Sequence, residues 1–263
     1  MPDYVDPYTK SADHLDLLSA GSWQHMAPIV ADALTGFADS DATIVELGAG
    51  TGLGTAAIAH AAPNARIVAV EPSSHLRAVL LHRVASDTHL RSRVTIENRL
   101  FPSSRLPAKF DALVMINSLG HLESGARGEL WRVIAAGLLP GGCAVINLQQ
   151  PTTAAAVPEF EMARERVGNR EYHGTAWAER LDDTTLTWHM TYTTSEDGNE
   201  LETMHVEYRW NVLGDGALEI ELAQHHLHAE MVGENQFGVF RIEPDDKRRA
   251  RSGTRGAASP PHS

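Results

Sequence analysis

The feature that most limits how this chain can fold is the stretch Val45-Glu46-Leu47-Gly48-Ala49-Gly50-Thr51-Gly52-Leu53-Gly54. A β-branched, apolar run enters a turn with glycine at every second position and continues into a segment of helix-forming residues. Glycine tolerates positive φ and has no Cβ, so backbone here can bend sharply and come close to a ligand. The first amides of the following helix lack intrahelical acceptors and open onto the same space. The dinucleotide fingerprint G-x-G-x-x-G is the obvious competitor. Counted from Gly48, its third glycine would fall on Leu53, and counted from Gly50 on Thr55, so neither register fits.

The surrounding pattern repeats the same unit. Short β-branched runs predict strands over residues 42–47, 65–71, 93–97, 111–116 and 143–148, separated by longer helical stretches, which is the signature of a parallel sheet with crossover helices. Ahead of them Trp23, Met26, Val30, Leu34 and Phe37 recur at steps of three and four, one stripe of an amphipathic helix over residues 15–37. Leu130, Val133, Ile134, Gly137 and Leu138 keep the helical period until Pro140-Gly141-Gly142 stops it.

After Pro151 the period changes to two. Leu186, Trp188, Met190 and Tyr192 alternate with polar residues, and so do Met204, Val206, Tyr208 and Trp210, with Asp197-Gly198 between them suited to a tight turn. An antiparallel hairpin inserted after strand five is expected. A short helix over 217–226 and strands over 228–232 and 237–242 complete the sheet. The expected organisation is a helical lid (1–40), a sheet-and-helix core (41–150), an inserted antiparallel region facing substrate or a second copy in a homodimer (151–213), returning core elements (214–243) and a disordered tail (244–263).

Composition narrows the partners. With 263 residues, 43% of them hydrophobic, the chain can bury one sizeable core. A net charge of −12 speaks against nucleic acid, whose binding surfaces concentrate Lys and Arg. Cys143 is the single cysteine, so no internal disulfide and no cysteine pair for a metal can form, and the cytoplasm is the expected compartment. The opening MPDYVDPYTKSADHLD has no apolar signal segment, and no stretch approaches the roughly 20 apolar residues of a membrane span, so no membrane partner is expected.

The glycine turn reads E-x-G-x-G-x-G from Glu46 to Gly52, and here the chain resembles the class I S-adenosylmethionine (SAM)-dependent methyltransferases. Three further landmarks follow in the family's order. Ile67-Val68-Ala69-Val70-Glu71-Pro72 sets a carboxylate at the tip of strand two, 21 residues beyond Gly50, where a ribose diol needs an acceptor. Strand four is Phe110 through Asn117, and Leu138-Leu139-Pro140-Gly141-Gly142 leads into strand five. The resemblance covers residues 42–148 and implies a Rossmann-like α/β sheet, SAM as cofactor, and a small-molecule methyl acceptor. Cofactor contacts are then expected from Tyr8, Glu46, Gly48, Gly50, Gly52, Glu71, Pro72, Asn98, Leu100 and Asn117. One departure stands out: the family's acidic residue after strand three is replaced here by Glu97-Asn98-Arg99-Leu100-Phe101, so Asn98 or the backbone near Leu100 is assigned to the adenine.

Ligands of open α/β sheets sit at the carboxyl ends of the strands. Asn117-Ser118-Leu119-Gly120-His121-Leu122 begins there, and its S-x-G-H resembles a segment of small-molecule N-methyltransferases, including those acting on amino sugars. His121 is the catalytic candidate, since imidazole can take a proton near neutral pH; a structural helix-capping role is the alternative. Tyr4, Tyr8 and His14 are lid candidates. Trp188, Tyr192, Tyr208 and Trp210 on one face of the hairpin could wall the acceptor site, with His189, His205 and Arg209 on the other. His225, His226 and His228 lack acidic or cysteine neighbours apart from Glu230, so no metal is expected. The basic cluster at Lys247, Arg248, Arg249, Arg251 and Arg255 reads as solvated tail. Methylation of nitrogen or oxygen is the leading reading; a different reaction of bound SAM, or a non-catalytic partner subunit of the same fold, remain as alternatives.

Overall fold

The computed structural model describes residues 6–245; Tyr4 and the basic cluster from Lys247 to Arg255 lie outside them. The elements in chain order are α1 (Ala12–Ala33), β1 (Thr43–Leu47), α2 (Leu53–Ala61), β2 (Arg66–Val70), α3 (Ser74–Ser86), α4 (Thr88–Arg93), β3 (Val94–Glu97), β4 (Phe110–Met115), α5 (Ser124–Gly137), β5 (Leu138–Asn147), β6 (Val157–Val167), β7 (Arg170–Arg180), β8 (Thr185–Glu196), β9 (Asn199–Asn211), α6 (Asp215–Ala223), β10 (Leu227–Met231) and β11 (Val239–Pro244).

Seven strands form one sheet in the order β10-β11-β5-β4-β1-β2-β3, and β6 to β9 form a second sheet in sequence order. In the first, β1 pairs in parallel with both β2 and β4, while β11 runs antiparallel to β5. The five short apolar runs read from the sequence are β1 to β5, with ends shifted by a few residues. The largest shift is at β5, which starts at Leu138: Phe110 pairs with Leu138 and Ala112 with Cys143, so Pro140-Gly141-Gly142 bulges out of the strand instead of preceding it. Gly141 takes φ +83° there.

Each face of the large sheet carries its own core. Met26, Val30 and Leu34 of the N-terminal helical region meet Ile58 and Leu80 on one face. Leu130, Trp131 and Ile134 of α5 meet Leu218 and Leu222 of α6 on the other. After β1 the chain moves outward to β2 and β3 and then returns to β4 on β1's other side. The connections that leave the carboxyl ends of β1 and β4 therefore run to opposite sides of the pair, and this switch point is where open α/β sheets bind ligands. No helix of the described residues is long and apolar enough to cross a membrane.

The inserted region is larger than a hairpin. β8 and β9 pair as expected, with Trp188 opposite Tyr208 and Tyr192 opposite Met204, but β6 and β7 extend the sheet to four strands. The inward positions of β7 are Gly174, Ala176 and Ala178, too small to announce an apolar period. At Gly174 there is no room for more: a Cβ would come 3.0 Å from Leu18 Cδ1 of α1 and 3.0 Å from Met162 Cε of β6. β6 is an edge strand, exposed over most of its length and rich in charge, as sheet edges commonly are.

Candidate active site

A cavity of about 500 Å³ lies at the switch point, within the usual range for a small-molecule site. Its floor is the glycine turn. Gly48, Gly50 and Gly52 have φ of +73°, +57° and +91°, conformations that side-chain-bearing residues rarely adopt. They serve three different ends. A Cβ on Gly48 would overlap Ser118 Oγ, and one on Gly52 would meet Leu80 Cδ1 at 2.8 Å, whereas one on Gly50 would meet no protein atom and would project into open space. Gly48 and Gly50 line the cavity; Gly52 does not, and instead lets α3 close against the loop.

Glu71 stands across from the turn, 3% exposed. The Gly50 and Ser73 amides each donate to one of its oxygens at 2.7 Å, which fixes the carboxylate and ties the tip of β2 to the glycine turn. Burial pushes its pKa up to about 7, against the pull of those two amides, and the nearby Asp6 carboxylate adds to the rise. Pro72 and Leu100 line the cavity beside it, with Phe101 next to Leu100. Asn98 is exposed and does not line it, so of the two expected contacts after β3 only the Leu100 position reaches the cavity.

Glu46 also lies outside the cavity lining. It sits behind the glycine turn, 4% exposed, and accepts from Thr55 Oγ1 at 2.5 Å. Burial pushes it up to about 8. Its role in this geometry is to brace the start of α2 from beneath.

The loop after β4 supplies the opposite wall. Asn117 adopts φ +52° and lines the cavity. Its N–H donates to Asn147 Oδ1 at 2.7 Å, and its own Oδ1 accepts from Asn147 Nδ2 at 2.8 Å, a two-bond clasp that offsets the backbone strain. Asn147 is buried at the end of β5. Its one sequence signal is a polar amide ending the apolar run Cys143-Ala144-Val145-Ile146.

His121 lies at the far end, with its Nε2 2.7 Å from the Tyr8 hydroxyl. The rings of Tyr8, Tyr208 and Trp210 surround it at centroid distances of 5.9, 5.3 and 5.0 Å. Crowding by protein lowers its pKa to about 4. The ring faces the cavity's own space and is a neutral imidazole at pH 7. Tyr8 is held from its other side, since its N–H donates to Asp6 Oδ1 at 2.9 Å and Asp6 Oδ2 accepts from Ser73 Oγ at 2.8 Å. The strap before α1 thus spans from the Glu71 loop to His121.

Of the expected hairpin residues, Tyr208 and its neighbour Arg209 line the cavity, while Trp188 and Tyr192 are buried within their sheet. His189 stacks on Trp177 at 3.9 Å, away from the cavity. His14 is buried against Thr194 of β8, with Nε2 3.1 Å from its hydroxyl, and does not line the cavity. Leu15, Ser19 and Trp23 were not anticipated as lining; their spacing of four places them on one face of α1, above the glycine turn. Among the described residues no group of three His, Cys, Asp or Glu side chains could hold a metal, His225, His226 and His228 included.

Residues 45–144 match a family model described as a methyltransferase domain. The uncharacterized protein syc1184_c of a Synechococcus species is 33% identical over 121 residues, which is 46% of this chain and 28% of that protein, so the chain matches little more than a quarter of that relative's length. Among solved structures, Streptomyces venezuelae DesVI superposes with TM-score 0.73 and 18% identity over 92% of this chain and 100% of its own. The sugar N-methyltransferase KedS8 of Streptoalloteichus gives 0.71 and 16%, over 93% and 96%. CalS10, a SAM-bound amino pentose methyltransferase from Micromonospora echinaspora, gives 0.70 and 15%, over 92% and 98%. At such identities the likeness is one of fold, and it extends through the inserted sheet as well as the core.

Proposed function

With a methyltransferase domain at residues 45–144 in the class I fold as the premise, we propose that the chain transfers a methyl group from SAM to a small molecule, and that the acceptor atom is the nitrogen of a sugar-like amine. The observation that carries this reading is the pairing of the open space at Gly50 with the fixed carboxylate of Glu71. A nucleoside fits that cradle: its ribose diol finds two carboxylate oxygens already oriented, and its body occupies the space a Cβ on Gly50 would fill. Gly48, Pro72, Leu100 and Asn117 complete the cofactor's surroundings. When bound, SAM supplies an electrophilic methyl group on a sulfonium sulfur.

The residues of the chain do the remaining work by placement. α1, the strap and β9 cover the cavity, holding the acceptor in line and keeping water out. His121, neutral at pH 7, offers hydrogen bonding to an acceptor N–H or O–H alongside the Tyr8 hydroxyl. The nitrogen preference rests on Ser118-Leu119-Gly120-His121 and on the sugar N-methyltransferase and amino pentose methyltransferase among the similar folds.

The test is incubation of the purified protein with SAM and a panel of amino sugars, free and nucleotide-linked, beside their hydroxyl counterparts, with products read by mass. The expected product gains one methyl on an amine. Methylated hydroxyl products would overturn the nitrogen assignment, and conversion of SAM without methyl gain by any acceptor would favour a different SAM reaction.

A further inference from the structure

The glycine of Ser118-Leu119-Gly120-His121 is not a turn glycine. Its φ is not positive, yet a Cβ there would overlap three indole atoms of Trp210, a residue 90 positions later on β9. The neighbouring Asn211 donates from Nδ2 to the Gly120 carbonyl at 3.0 Å. The other ties here are local: His121 N–H donates to Ser118 O at 3.1 Å and Leu122 N–H to Leu119 O at 3.0 Å, which makes a short 3-10 segment over Leu119–His121. The same indole that sits on Gly120 also meets the His121 ring edge to face, at 5.0 Å and 76°.

We propose that Trp210 and Asn211 are positioning residues for His121: the inserted sheet grips the Gly120 peptide through one stacked indole and one amide hydrogen bond, and so sets where the imidazole stands. The functional meaning given to His121 rests on the methyl-transfer reading, but the positioning itself does not. A 3-10 segment of three residues is a weak scaffold, because its hydrogen-bond geometry is poor. Trp210 is 4% exposed and belongs to the sheet's own core, with Leu186 and Trp188, so it presents a rigid surface. Gly120 is therefore the seat of that surface. Placement errors near 1 Å are enough to cost about 100-fold in rate, so such a grip has catalytic weight without touching the acceptor.

The test reads His121 directly, by the NMR signal of its ring Cε1–Hε1, assigned by its disappearance in His121→Gln. Three aromatic rings surround this proton, so its shift reports their placement. Asn211→Ala and Gly120→Ala should each move the signal. With an accepted amine in hand, Asn211→Ala should lower kcat about tenfold while SAM affinity, measured by titration, stays within about twofold. An unmoved His121 signal in folded Asn211→Ala and Gly120→Ala overturns the proposal. Should Gly120→Ala not fold, Asn211→Ala decides. If wild-type protein binds no SAM, the proposed function falls while the ring signal still answers the positioning question.

Discussion

The two ends of the cavity are built on opposite plans. The end assigned to the cofactor is built round a local, polar and largely backbone frame: a turn of glycines, the amides of Gly50 and Ser73, and one carboxylate, all within 27 residues of one another along β1, α2 and β2, with Leu100 and Asn117 added from later loops. The acceptor end is assembled from the strap, the loop after β4 and β9, and it is aromatic, with a neutral imidazole at its centre. A shared ligand can be held by features fixed early in the fold; an acceptor is selected by side chains that distant segments bring together. Changes at the first end should therefore weaken cofactor binding, and changes at the second should alter turnover while cofactor binding persists.

The sharpest way to break this division is Gly50→Val. The branched side chain would enter space that no protein atom occupies, so SAM affinity should fall at least ~1000-fold while the thermal midpoint changes little beyond the strain at φ +57°. Calorimetric titration and a melting curve read both effects, and retained affinity would place the nucleoside elsewhere.

Glu71→Ala should come next, at roughly 10- to 100-fold in SAM affinity, the usual range for hydrogen bonds to a charged group. The raised pKa of Glu71 adds a pH signature. A ribose diol donates to the ionised carboxylate, so affinity should weaken as pH falls below about 7 in wild type and lose that dependence in Glu71→Ala. A flat wild-type profile would remove Glu71 from the contact.

At the acceptor end, His121→Ala should reduce kcat by ~10-fold or more and leave SAM affinity in place. A matching loss of SAM affinity would contradict the division between the two ends.

The smallest effect concerns stability of the cofactor-free protein. Glu46 and Glu71 bind protons more tightly folded than unfolded, with values near 8 and 7 against an ordinary 4.5. Their contribution is fully present below about pH 4.5 and is lost as pH rises through 7 to 8. Urea midpoints should decline over that window, and less so in Glu46→Gln, which keeps a partner for Thr55 without a charge.

The same contrast explains what could be read from the sequence. The cofactor end is written in adjacent residues, so Gly48, Gly50, Glu71 and Pro72 stand out with no knowledge of the fold, and the residues between strands set the sheet. Glu46 shows how far pattern alone carries: the acidic position is recognisable, yet its carboxylate turns behind the loop toward Thr55. Asn98 was chosen by its place after β3, where packing instead brings Leu100 and Phe101 to the cavity. At the acceptor end, Tyr8 and His121 were each legible as candidates, but their hydrogen bond crosses 113 positions. The seat of Trp210 on Gly120 has no local trace at all, since nothing in Ser118-Leu119-Gly120-His121 tells what fills the missing Cβ. β6 and β7 escaped for a related reason: their inward residues are small or their faces are charged, because a helix or solvent lies against them and not because they lack strand geometry.

The most direct measurement is calorimetric titration of the wild-type chain and Gly50→Val with SAM, S-adenosylhomocysteine and NAD. Micromolar binding of the first two by wild type, none of NAD, and loss of binding in Gly50→Val is the expected result. NAD binding, or equal SAM affinity in both proteins, would contradict the assignment of the glycine turn on which the whole reading stands.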